Sequence, residues 1–207
     1  MGEPAAAEGP LITARILLAV YSRGMFPMAG EDGGVYLHDP DPRAVFPLDL
    51  LRIDRTTRKV MRRGTFTVTR NRAFQEVMRA CADREETWIN AEMIDAYTDL
   101  HEQGHALSVE CWQGDALVGG IYGVYIGTAF FGESMFSRES NAGKVAFHTL
   151  VGHLKGSGAT LFDTQYINDF TRQLGAVEIP RSVFRERLRL ALHRPGPPGE
   201  EGVLVSP

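Results

Sequence analysis

The run Val118 to Ser137, VGGIYGVYIGTAFFGESMFS, is apolar, aromatic and glycine-rich, yet it carries one carboxylate, Glu133. Burying an ionised group without a partner is costly, so Glu133 must lie at a strand edge, meet a hydrogen-bond donor, or serve a site that uses its charge. Further along, the segment ATLFDTQ places Asp163 and Gln165 at the end of an apolar run. If both runs are strands of one mixed sheet, a layout that suits acyl transfer, the two acidic residues can face a common cleft. Each residue also has a purely structural reading. An aspartate at a strand end can cap a turn, a glutamine can satisfy backbone groups, and a glutamate can pair with Arg or Lys within the fold.

A second group of residues suggests a charged partner. The segment RIDRTTRKVMRRG holds Arg52, Arg55, Arg58, Lys59, Arg62 and Arg63, and helical spacing puts Arg55, Arg58, Lys59 and Arg62 on roughly one face. A solvated helix face accounts for this pattern. A phosphate backbone accounts for it too, because clustered cations gain affinity by releasing condensed counterions. The net charge of -4 argues against a chain coated in cations, although net charge conceals local patches.

The elements that must hold these residues follow from periodicity. ITARILLAVYSRG reads as a helix stopped at Gly24, and the Pro-, Gly- and Asp-rich residues 25–49 read as an ordered loop region. TFTVT reads as a strand. Helices are expected in NRAFQEVMRACAD, opened by Asn71, and in AEMIDAYTDLHEQ, closed by Gly104. ALSVECW, ALVGGIYGVYI and TAFFGESMF form an antiparallel meander. Asn141 opens the helix AGKVAFHTLVGHLKG, ATLFDTQ is a strand, INDFTRQLGA a short helical turn, and PRSVFRERLRLAL a final helix beginning at Pro180. The fold class is therefore α+β, with a mixed sheet flanked by helices.

With 207 residues, 43% hydrophobic and 23% charged, the chain can bury one substantial core. The expected organisation is a short N-terminal lobe over 1–48, a main domain over 49–194 and a disordered Pro-, Gly- and Glu-rich tail over 195–207. No apolar run reaches the roughly 20 residues of a membrane span, and MGEPAAAEGP lacks the regions of a signal peptide, so a cytoplasmic protein away from membranes is expected. Cys81 and Cys111 form neither a CxxC pair nor a metal cluster and read as buried reduced thiols. Neither a metal nor a cofactor is expected.

The motifs YSRGMFPM, DPDPRAV, TWI, AYTDLHEQGHALSVECW, LVGGIYGV, FFGESMFS, FDTQYIND and LGAVEIPR occur in this order over roughly residues 13 to 190. In this the sequence resembles the bacterial leucyl/phenylalanyl-tRNA protein transferase family. The resemblance implies a GNAT-like fold, similar also to peptidoglycan-building aminoacyl transferases. It implies transfer of Leu, Phe or less readily Met from aminoacyl-tRNA to proteins beginning with Arg or Lys, which marks them for degradation. A monomer is expected.

The resemblance also implies site residues. GESMF supplies the carboxylate of Glu133, and DxQ supplies Asp163 and Gln165, which would orient the amine or relay its proton. Asn168 would donate hydrogen bonds to the ester or ribose. Because the aminoacyl ester is already activated, such a site needs only to hold the ester against the amine, collect a proton and stabilise an oxyanion. A carboxylate near its reference pKa of about 4 is a poor base for an ammonium of pKa near 8, so positioning weighs heavily. By position, Phe130, Gly132, Met135, Leu150, Leu154 and Phe162 would wall an apolar donor pocket, with Met135 the most adaptable member. Trp88 would stack on the terminal adenine. The phosphate reading extends to Arg63 beside the cationic face of Arg55, Arg58, Lys59 and Arg62.

The chain departs from the family in places. Leu37 and His38 replace a tryptophan pair, each lost stack being worth about 1 to 3 kcal/mol, and Phe170 stands where His is common. A contact from Tyr36 or His38 would compensate. Two other functions are compatible with the same fold. One is an acyltransferase using acyl-CoA or a cell-wall precursor, although no RxxGxG/A phosphate-cradling segment is visible. The other is a silent module that binds aminoacyl-tRNA or an N-degron.

Overall fold

A computed structural model of the chain describes residues 12–30, 34–85, 87–194 and 202–203. The opening ten residues lie outside the described residues, and so does the tail from Pro195 apart from Gly202 and Val203. Helix α1 (Ala14–Ser22) starts where the Thr13 hydroxyl accepts the Ile16 N–H, and Gly24 ends the turn that follows it. Residues 25–49, expected as loop, instead form β1 (Phe26–Ala29), β2 (Val35–His38) and β3 (Arg43–Val45). Strands β1 and β2 make a separate two-stranded ribbon, in which an internal proline is tolerated because neither strand is flanked on both sides.

Among the described residues the main sheet has eight strands in the order β10-β4-β5-β6-β7-β8-β3-β9. These are β4 (Thr67–Arg70), β5 (Ala106–Gln113), β6 (Ala116–Ile126), β7 (Ala129–Ser137), β8 (Leu161–Gln165), β9 (Val177–Ile179) and β10 (Gly202–Val203). The expected meander is β5–β6–β7, wholly antiparallel. Helix α5 (Ala142–Gly156) then crosses back so that β8 runs parallel to β7, which makes the sheet mixed.

Two apolar layers cover the sheet. On one face α1, α3 (Phe74–Ala82), α4 (Ala91–Glu102) and α7 (Arg181–Leu192) bury Leu17, Tyr21, Val77, Met93, Tyr97, Phe184 and Leu188 against Tyr122, Val124 and Phe131. On the other face α5 buries Val145, Phe147, Leu150 and Leu154 against Val109, Phe130 and Phe162. Helix α2 (Arg55–Arg62) is capped by Asp54 and packs on α5 through Thr57, Val60 and Met61. The observed architecture is thus α+β, as expected, but α1 and β3 belong to the same core and sheet as the residues after 49.

Local caps differ from expectation at two asparagines. Asn71 does not open α3. Its backbone is left-handed, and its side-chain oxygen accepts the Ser108 N–H on β5. Asn141 does precede α5, but its amide bonds Ser140 rather than the helix.

Candidate active site

Strands β7 and β8 run in register from Ala129 beside Leu161 to Phe131 beside Asp163. Beyond that point each carries one extra residue. On β7, Gly132 pairs with Gly123 and Ser134 with Tyr122, so Glu133 is the bulged residue. On β8, Asp163 pairs with Val45 and Gln165 with Ala44, so Thr164 is the bulged residue. A bulge bends its strand and re-aims its side chains, and two of them on neighbouring strands part the sheet. Between the parted ends lies a cleft of about 300 Å³.

Gly132 lets the strands approach as closely as they do, since a Cβ there would stand 2.9 Å from the Phe162 ring. Glu133, Met135 and Phe162 line the cleft with Phe46 and Phe147. Phe26, Pro27 and Met28 of β1 form a wall that the loop reading of this segment did not foresee. Trp88, from the connection between α3 and α4, completes the rim with Arg84, and Tyr166, Asn168 and Phe170 follow β8. Phe130, Leu150 and Leu154, expected on the pocket wall, are fully buried in the layer under α5 and do not line the cleft.

At the floor the Gln165 amide nitrogen donates to Glu133 Oε1 over 2.8 Å. On its other side the Tyr97 hydroxyl lies 3.5 Å from Glu133 Oε2 and hydrogen-bonds the Tyr21 hydroxyl. Burial pushes the Glu133 carboxyl up to about 8, and the charge of Asp163 adds to the rise while the donors Tyr21 and Gln165 and the cation Arg43 oppose it. Burial beside this carboxylate also raises Tyr21 and Tyr97 well above an ordinary phenol, so both remain donors.

Asp163 does not face the cleft with Glu133. It is fully buried, as is Arg43, which donates from Nε to Oδ1 over 2.9 Å and from a terminal nitrogen to Oδ2 over 2.6 Å. A bidentate ion pair of this kind holds the carboxylate in a fixed plane. Its Oδ1 also accepts the backbone N–H of Gln165 over 3.0 Å. Gln165 sits at φ 65°, a left-handed conformation that a non-glycine residue adopts only when surrounding contacts hold it. Asp163 is therefore connected to the cleft through Gln165.

Asn168 spends its side-chain oxygen on capping α6 (Asp169–Gln173), where Thr171 returns a bond to its backbone. Asn168 itself lines the cleft. His38 stacks on Phe26 with ring centroids 5.5 Å apart, and its Nδ1 lies 2.9 Å from the Tyr166 hydroxyl. Arg55, Arg58, Lys59, Arg62 and Arg63 are all exposed and none lines the cleft, although α5, on which their helix packs, contributes Phe147 to it. Cys81 and Cys111 are free and buried, with both thiols pushed up to about 12 by burial, so neither is a nucleophile.

The family model for leucyl/phenylalanyl-tRNA protein transferase matches residues 45–189. Relatives named leucyl/phenylalanyl-tRNA–protein transferase include that of Cereibacter sphaeroides, 49% identical over 88% of this chain and 86% of its own. Those of Rhodospirillum rubrum and Gloeobacter violaceus are 51% and 48% identical, covering 87% and 89% of this chain and 88% and 96% of theirs. Among solved structures, L-PGS from Bacillus licheniformis is 15% identical with a TM-score of 0.41, over 79% of this chain and 58% of that one. At this level of identity, over nearly the whole length of the relatives, the chain belongs to the leucyl/phenylalanyl-tRNA protein transferase family.

Proposed function

We propose that this protein transfers Leu, Phe or, less readily, Met from aminoacyl-tRNA to the α-amino group of proteins that begin with Arg or Lys, marking them for degradation. The observation that carries this reading, within the family, is the Gln165–Glu133 pair set in a cleft that also presents the apolar side chains of Met135, Phe147 and Phe162. Met135, Phe147 and Phe162 offer an apolar donor side chain contact without a polar group that would discriminate between Leu, Phe and Met.

The donor is an activated ester. The incoming amine nitrogen bonds to the ester carbonyl carbon, the bond from that carbon to the ribose oxygen breaks, the nitrogen sheds a proton and the ribose oxygen gains one. Gln165 has turned its amide nitrogen to Glu133, which leaves its carbonyl oxygen to accept from the attacking amine and orient its lone pair. Glu133 is the proton acceptor. An ordinary carboxyl is too acidic for the task, but one raised to about 8 matches an N-terminal ammonium, whose pKa is about 7.7 to 8. Asp163 keeps Gln165 in place. The amide nitrogen of Asn168 serves the ester or ribose, Trp88 stacks on the terminal adenine, and the exposed cations of α2 follow the tRNA phosphates.

The test is direct. Purified protein is mixed with radiolabelled Leu-tRNA and peptides beginning with Arg, Lys, Asp or Ala. Label should pass to the first two and hardly to the others. Equal labelling of all four would remove the N-degron reading, and acylation from acyl-CoA without tRNA would place the protein among other acyltransferases.

A further inference from the structure

Arg43 is the largest fully buried side chain among the described residues, and each of its three side-chain nitrogens donates a hydrogen bond. One edge grips both oxygens of Asp163, and the remaining terminal nitrogen donates to the Gly24 carbonyl over 2.9 Å. Its guanidinium lies between two rings, 4.8 Å from the centre of Phe26 and 4.4 Å from that of Phe184. Gly24 takes φ +81°, and even a Cβ there would press on the Phe184 ring at 3.2 Å, so this carbonyl is presented by a residue that must be glycine.

These contacts join four pieces of the fold at one point. Gly24 ends the turn after α1, Phe26 is both in β1 and on the cleft wall, Phe184 belongs to α7, and Asp163 is in β8. Arg43 itself lies on β3, whose next residue Ala44 pairs with Gln165. A buried guanidinium at such a junction could serve folding alone. The direction of the hydrogen bonds says more: Asp163 Oδ1 receives Arg43 on one side and the strained Gln165 backbone on the other, and the Gln165 side chain then reaches Glu133.

We infer that Arg43 is a positioning residue for the transfer reaction, setting the orientation of the Gln165 side chain in the cleft by fixing the Asp163 carboxylate behind it. The inference rests on the proposed transferase reaction for its kinetic consequence, and on geometry alone for its structural one. It also explains why the aspartate of the DxQ motif is withheld from substrate. A carboxylate committed to a bidentate guanidinium is a fixed acceptor for the Gln165 N–H, with both of its oxygens already engaged. Lysine cannot replace it, since a single ammonium cannot hold two carboxylate oxygens and a carbonyl in one plane.

The test uses Arg43→Lys, which keeps the buried positive charge, alongside Gln165→Ala and the double variant. Single-turnover transfer from Leu-tRNA to an Arg-peptide is normalised to the folded fraction. Arg43→Lys should lose roughly ten-fold or more in rate while KM for Leu-tRNA stays within about two-fold, the mark of an interaction made in the transition state. The double variant should be no slower than Gln165→Ala, because residues acting through one group do not add. Losses that multiply, or a folded Arg43→Lys with wild-type rate, would overturn the inference. The Gln165 side-chain amide is followed in the same proteins by NMR. Slow exchange in the wild type that becomes fast in Arg43→Lys supports the inference, and an unchanged amide overturns it, whether or not the protein proves to transfer leucine.

Discussion

Gln165 and Glu133 meet across the point where β7 and β8 part, the amide nitrogen of one 2.8 Å from the carboxylate of the other. Each belongs to a stretch in which its strand has gained a residue, Glu133 being the extra residue of β7 and Gln165 following the extra Thr164 of β8. Two neighbouring bulges thus both open the cleft and aim the polar pair into it.

The raised carboxyl of Glu133 carries a pH-dependent cost to folding. Its folded value is about 8, against roughly 4.3 in an unfolded chain. Between those values the folded protein holds a proton that the unfolded chain has lost, so stability from this group falls as pH rises, and the full cost is present above about 8. Glu133→Gln removes it. The melting temperature of the variant relative to wild type should therefore rise from pH 5 to pH 9, by several degrees if the cost is a few kcal/mol. Parallel melting curves across that range would show that Glu133 is not held in this state.

The meander, the crossing helix and the mixed sheet were legible because hydrophobic period and turn residues mark them plainly. Glu133 stood out for being an ionisable group in an apolar run. What sequence could not show was register. A bulge is one residue of slip between strands far apart in the chain, and no local pattern around Glu133 or Thr164 announces it. Arg43 was visible only as a letter in DPDPRAV, since its value comes from Asp163 and Gly24, distant in sequence. The same residues 25–49 hid β1 because proline, glycine and aspartate interrupt any period, whereas Phe26 and Met28 take part in tertiary packing. Phe130, Leu150 and Leu154 share the apolar character of the cleft wall, and only the sheet's layering separates core from cleft.

The cations of α2 make an electrostatic prediction. Arg55, Arg58, Lys59 and Arg62 are exposed, opposite the face that packs on α5. If they follow phosphates, replacing two of them with Ala should raise KM for aminoacyl-tRNA and flatten the slope of log KM against log salt by roughly one to two units. A salt slope identical to wild type would return them to the solvated surface.

Donor selectivity is expected to respond to Met135 and not to its neighbours in the layer beneath. Met135 lines the cleft, and its unbranched side chain can follow guests of different shape. Met135→Ala should change the ratio of kcat/KM for Leu, Phe and Met donors several-fold, in line with about 1 to 3 kcal/mol of altered apolar contact. Leu150→Ala, in the core, should lower the melting temperature and leave those ratios alone. One common factor for all three donors in Met135→Ala would make its role structural.

The division of labour between the two carboxylates can be read from pH dependence. Attack requires a neutral amine, and proton acceptance requires an ionised Glu133. Because both groups titrate near pH 8, log(kcat/KM) for the peptide should rise with a slope approaching two below about pH 7 and level off above about pH 9. Glu133→Gln should reduce that slope to one, with a lower plateau. Asp163→Asn should keep the slope of two, because its carboxylate is sealed against Arg43, and should lower the plateau by roughly ten to a thousand-fold, about 1.4 to 4 kcal/mol of transition-state stabilisation. Gln165→Ala should resemble Asp163→Asn in rate while aminoacyl-tRNA remains bound, without the loss of stability expected when a buried guanidinium is left beside a neutral amide. A slope of two that survives in Glu133→Gln but falls to one in Asp163→Asn would reverse the assignment, making the buried aspartate the proton acceptor and Glu133 the residue that positions.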